Sequence, residues 1–110
     1  MKRLFLAVTL ALAFTACNEK TTSIQTLLSD PGRYDGKTVR IVGEVGQAIG
    51  ALGYGAYEVK DATGTLPVVT EGGGAPARGA KVGVEGTFRA AYTLGTQSRA
   101  VIVEQRRVAR

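Results

Sequence analysis

Apolar and polar positions divide the chain into one unbroken greasy run and a longer stretch of alternation. Leu4–Phe14 carries no charge; it follows Met1-Lys2-Arg3 and gives way to Thr15-Ala16-Cys17. Beyond Asn18-Glu19-Lys20 the apolar residues become periodic. Ile24, Leu27 and Leu28 stand at i, i+3 and i+4, the stripe of one short helix, and Thr22 and Gln25 have the spacing of a capping box. Asp30-Pro31-Gly32 ends that helix, because the residue before a proline avoids helical backbone. The period then changes to two. Val39, Ile41, Gly43 and Val45 alternate with Thr38, Arg40, Val42 and Glu44, as in a half-buried strand, and Gly43 and Gly46 mark a bulge or bend. AIGALGYGA (48–56) reads as a glycine-spaced loop. A second strand, Tyr57–Lys60, sets Tyr57 and Val59 against Glu58 and Lys60. DATG (61–64) predicts a hairpin turn in which Asp61 closes on its own backbone and Gly64 takes a positive φ. In a third strand, Thr65–Thr70, Pro67 lacks an N–H and so predicts an edge or a locally unpaired stretch. EGGGAPARG (71–79) is a long connection. The fourth strand, Lys81–Ala91, alternates Val82, Val84 and Phe88 with Lys81, Glu85 and Arg89. YTLGTQS (92–98) reads as a loop. The fifth strand, Arg99–Val108, is apolar on both faces from Ala100 to Val103.

The helix is too short to stand alone, so its stripe must pack on the strands. Five short strands with glycine-rich turns predict a mainly β domain, a small barrel or sandwich, and the long first strand can bend to serve both halves of a barrel. The inward set is Val39, Ile41, Val45, Tyr57, Val59, Leu66, Val68, Val82, Val84, Phe88 and Ile102. The runs YDGKTVRIVGEV (34–45), YEVKDATGTLPVV (57–69) and GAKVGVEGTF (79–88) resemble bacterial OB-fold domains of the anticodon-binding-like and periplasmic families. The resemblance covers about Tyr34 to Glu104. It implies a five-stranded OB-fold-like Greek-key barrel over 23–110, with one short N-terminal helix. The matching elements are structural, so they speak for a fold and not for a chemistry.

The first twenty residues have the anatomy of a secretory signal: a positive end, an apolar stretch, then small residues. The stretch falls short of the roughly 20 apolar residues needed to span a bilayer. An amphipathic or buried N-terminal helix is the other reading, and the missing polar face speaks against it. FTAC (14–17) resembles a bacterial lipobox, with Phe14 where that family usually has Leu. The resemblance implies a signal peptide over 1–16, lipid attachment at Cys17 and a lipidated tether over 17–22. Ala11-Leu12-Ala13 offers a competing cut before Phe14, which would leave Cys17 as a free thiol. In an oxidising compartment an unpaired cysteine is prone to intermolecular pairing, a hazard that acylation removes. The expected location is outside the cytoplasm, anchored to the membrane at the periplasmic or outer face of the cell envelope.

Charge and chemistry narrow the function only slightly. The chain holds 14 Lys+Arg and 9 Asp+Glu, net +5, and losing residues 1–16 removes Lys2 and Arg3 and leaves +3. So mild an excess does not announce nucleic acid. Histidine is absent and the single cysteine rules out an internal disulfide. With no imidazole, and with Glu44, Glu58, Asp61, Glu71, Glu85 and Glu104 read as a solvated face or turns, the inventory predicts no enzyme, no metal and no cofactor. Periplasmic OB domains resembling the haem chaperone of cytochrome c depend on a histidine that this chain lacks. A triple glycine such as 72–74 can cradle phosphate, but this one lacks the ending of a phosphate loop and runs into Ala-Pro, so it reads as a plain connection.

OB folds bind ligands on the face of strands 2 and 3, between flanking loops. Stacking aromatics beside positive charge are what single strands require, and the candidates here are Tyr54, Tyr57, Lys60, Arg89, Tyr92 and Arg99. Each has a plainer reading: Tyr57 alternates with the core, Tyr54 and Tyr92 can cap barrel ends, and the cations can be solubilising charges. Arg106–Arg110 either attracts anionic lipid near the anchor or is a polar strand end or frayed tail. The expected function is that of a noncatalytic cell-envelope lipoprotein whose barrel mediates protein or ligand binding. Its partners are the membrane through the anchor and an envelope protein. The alternative is an oligonucleotide- or glycan-binding domain, with a glycan or single-stranded nucleic acid as partner.

Overall fold

The computed structural model describes residues 20–51, 54–71, 74–94 and 96–110; the expected signal peptide, the two competing cleavage positions and Cys17 lie outside the described residues. Two short helices, α1 (Ile24–Ser29) and α2 (Pro31–Tyr34), precede five strands: β1 (Thr38–Ala51), β2 (Tyr54–Lys60), β3 (Thr65–Thr70), β4 (Lys81–Leu94) and β5 (Gln97–Ala109). The strands close into a barrel in the order β1-β2-β3-β5-β4, with β4 returning to β1. Every pairing is antiparallel except β3 with β5, which is parallel at Val68↔Ile102 and Val69↔Val103. This is a mainly β, OB-fold-like Greek-key barrel.

The period-two pattern builds its interior. Every residue of the expected inward set belongs to one buried cluster, joined by Ile24 and Leu27 from α1. Burying those two helix side chains contributes about 3–6 kcal/mol, which is what holds so short a helix in place. All five strands, both helices and this core lie within 20–110.

Several local expectations are corrected. The capping residue is Ser23, not Thr22: its hydroxyl accepts from the Thr26 N–H at 3.2 Å, while the Thr22 N–H bonds the Arg40 carbonyl. The Thr22 N–H that a capping box would offer to Gln25 is thus taken, and the Gln25 N–H is itself bound by Thr63 Oγ1 of the β2–β3 turn. Leu28 is 43% exposed, so only two residues of the stripe are anchors. A second helical turn begins at Pro31, whose missing N–H costs nothing at a first helical position. The expected loop at 48–56 is mostly hairpin, with Ala48↔Tyr57, Ile49↔Ala56, Gly50↔Gly55 and Ala51↔Tyr54 paired. The expected bulge is present at Gly46, between Val45 and Ala48, whereas Gly43 pairs regularly with Val82. The expected loop at 92–98 likewise pairs, at Tyr92↔Arg99, Thr93↔Ser98 and Leu94↔Gln97. Small residues flanking a two-residue tip lengthen a hairpin as readily as they break it.

β3 is not an edge: it lies between β2 and β5. Pro67 is tolerated because the β5 ladder begins one residue later, at Val68. Gly64 is not a positive-φ residue; Gly36 and Gly79 are. Gly64 is glycine for space, since a Cβ there would lie 3.2 Å from Cγ2 of Ile24. The tightest approach is at Gly86, beside a register shift in β4, where a Cβ would lie 2.8 Å from both Ile102 Cγ2 and the Val103 carbonyl carbon.

Candidate functional site

The strand ladder decides which of the candidate residues can act together. Tyr92 and Arg99 are direct cross-strand partners on β4 and β5, and Arg89 pairs with Val101 on the same hairpin. Lys60 ends β2 opposite Thr65. Thr65 is three residues before Val68 and Arg99 three before Ile102, the paired residues of β3 and β5, so Lys60, Thr65, Arg99 and Tyr92 lie at one level across four strands. Lys60, Arg89 and Arg99 are exposed and Tyr92 is half-buried. Tyr54 opens β2 at its other end, about 20 Å of strand from Lys60. The Tyr54 side chain lies outside the described residues. The β1–β2 and β4–β5 tips thus flank β3 from its two ends, and the cationic rim gathers at one of them.

Tyr57 does not belong to that rim. It is fully buried in the core, and its hydroxyl donates to Glu104 Oε1. Arg107 stands over its ring at 5.5 Å, bonds Glu104 at 3.3 Å and donates to the Gly74 carbonyl at 3.0 Å. Burial above all, and then the bond to Glu104, push the Tyr57 hydroxyl well above the ordinary phenol range. It therefore stays protonated, and the trio ties β2, β5 and the β3–β4 connection together. Glu104 and Arg107 were not among the candidates. Glu104 sits two residues after inward-facing Ile102, and that register was the available signal.

The middle of the outer β2–β3–β5 face is apolar. Ala56, Val69 and Val101 are at most 3% exposed yet belong to no part of the core cluster. The groups free to meet a ligand on that side are the rim charges.

A second charged surface lies on β1, β4 and β5. Arg40, Glu85 and Arg106 form one rung of the ladder. Glu85 takes Arg40 Nε at 2.6 Å and Arg106 Nε at 2.8 Å. The bond from Arg40, followed by the charges of Arg106 and Arg40, holds its carboxyl below the ordinary value against a smaller opposing effect of burial. Arg106–Arg110 is no frayed tail, because β5 runs through Ala109 and the Arg110 N–H bonds the Lys81 carbonyl at 2.9 Å. A cleft of about 230 Å³ opens here, lined by Thr21, Arg40, Glu85, Arg106, Arg107 and Arg110 among others. Among the described residues no group of three or more His, Cys, Asp or Glu side chains is placed to hold a metal. No described helix is long and apolar enough to cross a membrane.

No family model and no curated protein sequence matches the chain. Solved structures do match it in shape. Asparaginyl-tRNA synthetase from Pyrococcus horikoshii, complexed with asparaginyl-adenylate, is similar with a TM-score of 0.68 and 20% identity over 84% of this chain, which spans 22% of the synthetase chain. An OBody bound to hen egg-white lysozyme is similar with a TM-score of 0.63 and 17% identity, covering 84% of this chain and 96% of the OBody. A replication protein A heterotrimer bound to ssDNA is similar with a TM-score of 0.52 and 21% identity, over 67% of this chain and 57% of that one. At these identities the likeness is one of fold: the chain is an OB-fold domain.

Proposed function

We propose that the protein is a noncatalytic cell-envelope lipoprotein, exported by residues 1–16, acylated at Cys17 and tethered by 17–22, whose barrel binds a protein or other ligand. The observation that carries the binding half is the OBody likeness. There the same barrel, matched over nearly its whole length, is bound to a protein. The lipoprotein half rests on the lone cysteine that closes the apolar leader. That the barrel is noncatalytic rests on the absence of histidine from the whole sequence.

The second reading, an oligonucleotide- or glycan-binding barrel, is favoured by the rim of Lys60, Arg89, Tyr92 and Arg99 and by the replication protein A likeness. Mass spectrometry of the native protein tests the anchor: the expected mature chain begins at an acylated Cys17, and a chain beginning at Phe14 with a free thiol refutes it. In-cell cross-linking then tests the partner, with recovery of a defined envelope protein expected. Titration of the barrel with single-stranded DNA and envelope glycans at two salt concentrations separates the readings. Salt-sensitive DNA binding lost in Tyr92→Ala supports the oligonucleotide, salt-insensitive glycan binding supports the glycan, and silence from both leaves the protein partner.

A further inference from the structure

The cleft on β1, β4 and β5 lies where the chain enters the barrel. Thr21 lines it, and the Thr22 N–H bonds the Arg40 carbonyl at 2.8 Å, fixing that entry point beside β1. Cys17 is four residues before Thr21, at most about 14 Å of extended chain. The headgroup layer of a bilayer is about 5–8 Å thick on each side. A lipid on Cys17 therefore holds this side of the barrel against the headgroups or within about one Debye length of them.

The chemistry of the cleft suits that setting. Arg40, Arg106 and Arg110 line it against a single carboxylate, Glu85, which is already shared by Arg40 and Arg106, while the Arg107 guanidinium is turned to Tyr57 and Glu104. Arg106 keeps its side chain 64% exposed while paired. Two of the three exposed large apolar residues among those described, Val42 at 37% and Val108 at 53%, also line the cleft. Guanidinium groups beside exposed aliphatic side chains match the phosphates and glycerol region of a lipid surface.

We propose that this arginine cleft seats the phosphates of anionic lipid headgroups, docking the β1–β4–β5 side of the barrel on the membrane and turning the β2–β3 side outward. The placement rests on the lipoprotein reading above; the chemistry of the cleft does not.

The test uses Lys20–Arg110, which lacks Cys17 and so reports on the cleft independently of acylation. Its flotation with phosphatidylcholine vesicles is compared with flotation on vesicles that also contain phosphatidylglycerol. The expected result is binding to the anionic vesicles alone. Each arginine removed should lower partitioning about fivefold, so Arg106→Gln with Arg110→Gln should lower it about 25-fold. Arg33→Gln with Lys37→Gln removes the same charge from exposed positions outside the cleft and should change it little. Circular dichroism checks that both variants fold. Equal losses in the two double variants would reduce the effect to net charge and overturn the proposal. So would indifference to phosphatidylglycerol. So would release by inorganic phosphate at matched ionic strength, which marks a free-phosphate site, or selective loss of single-stranded DNA binding in the Arg106/Arg110 variant. Flotation without acylation of the native protein keeps the docking and removes the lipid anchor; acylation without flotation does the reverse.

Discussion

Asp61 joins the β2–β3 turn to the first helix, and Asp61→Asn isolates one part of that junction. Its Oδ1 accepts from the Thr63 N–H at 2.7 Å, the Thr63 hydroxyl at 2.6 Å and the Gly64 N–H at 3.0 Å. Oδ2 accepts from the Ile24 N–H at 2.9 Å, the first residue of α1. Asparagine can keep the three bonds of the turn but must aim its NH₂ at the Ile24 N–H. One charge-assisted bond is lost, and the N–H of a fully buried residue is left facing a donor. A hydrogen bond to a charged group contributes about 1.5–3 kcal/mol and an orphaned buried donor about 1–3, so a loss of about 2–4 kcal/mol is expected at neutral pH. For a domain of this size that lowers Tm by about 8 °C or more. The pH dependence sharpens the test. Burial raises the carboxyl pKa, but the bonds from the Thr63 hydroxyl and then the Ile24, Thr63 and Gly64 N–H groups outweigh it and hold the group below its ordinary value. A depressed carboxylate stabilises fully above the unfolded value of about 3.9 and loses that contribution as pH falls through the lower folded value. Urea unfolding of both proteins from about pH 6 to about pH 2.5 should therefore show the gap narrowing as pH falls. A gap that stays constant over that range, or no gap at neutral pH, refutes the assignment of Asp61 as the helix dock.

Three further outcomes follow from the packing. Gly86→Ala must displace the Val103 backbone and should cost at least about 1–3 kcal/mol in urea unfolding, whereas Gly32→Ala, with open space around it, should be neutral or gain up to about 1 kcal/mol. Val84→Asp buries an unpaired charge in the core and should abolish a cooperative thermal transition, while Arg89→Asp on the exposed side of β4 should stay within about 0.5 kcal/mol; equal losses would contradict the facing of β4. Tyr57→Phe keeps the buried ring but removes one bond to Glu104, which Arg107 still satisfies, so a loss of about 1 kcal/mol by urea titration is expected, and one several-fold larger would show the trio to be cooperative.

The interior was legible because one physical rule decides it. With a period of two, a slip of one residue turns Val39, Ile41 and Val45 to solvent, so alternation alone identifies the faces. The capping residue was less legible. Thr22 and Ser23 both carry a hydroxyl, and what selects Ser23 is that the Thr22 N–H is claimed by Arg40, eighteen residues further along. The hairpin lengths failed for a similar reason. Glycines at 50 and 55 look like a loop until they are seen paired across β1 and β2. In each case the missing information was a partner distant in sequence, which local propensity does not contain.

The same reasoning explains why the two charged surfaces differ in how visible they were. The rim residues Arg89, Tyr92 and Arg99 fall on one hairpin, so a local reading groups them. Arg40, Glu85 and Arg106 come from three strands and become neighbours only when β4 closes the barrel against β1 on one side and β5 on the other. Closure also gives the arrangement its use. In a closed barrel the exposed positions are spread around the whole circumference. Two ligands could then be held at different places on the barrel without competing for the same residues. On the proposed reading, a lipidated tether entering beside Arg40 would commit the β1–β4–β5 side to the membrane and leave for a partner the side whose rim Lys60, Tyr92 and Arg99 define. Swapping the entry point should therefore matter more than changing any single charge. Attaching a lipid through a cysteine placed after Arg110 should set the arginine cleft against the bilayer, because the Arg110 N–H is bound to the Lys81 carbonyl of the same face. Attachment through a cysteine in place of Thr96, at the β4–β5 tip, brings the rim down to the headgroups instead. Partner capture in cells should survive the first change and fail in the second, and capture that is equal in both would show that orientation plays no part.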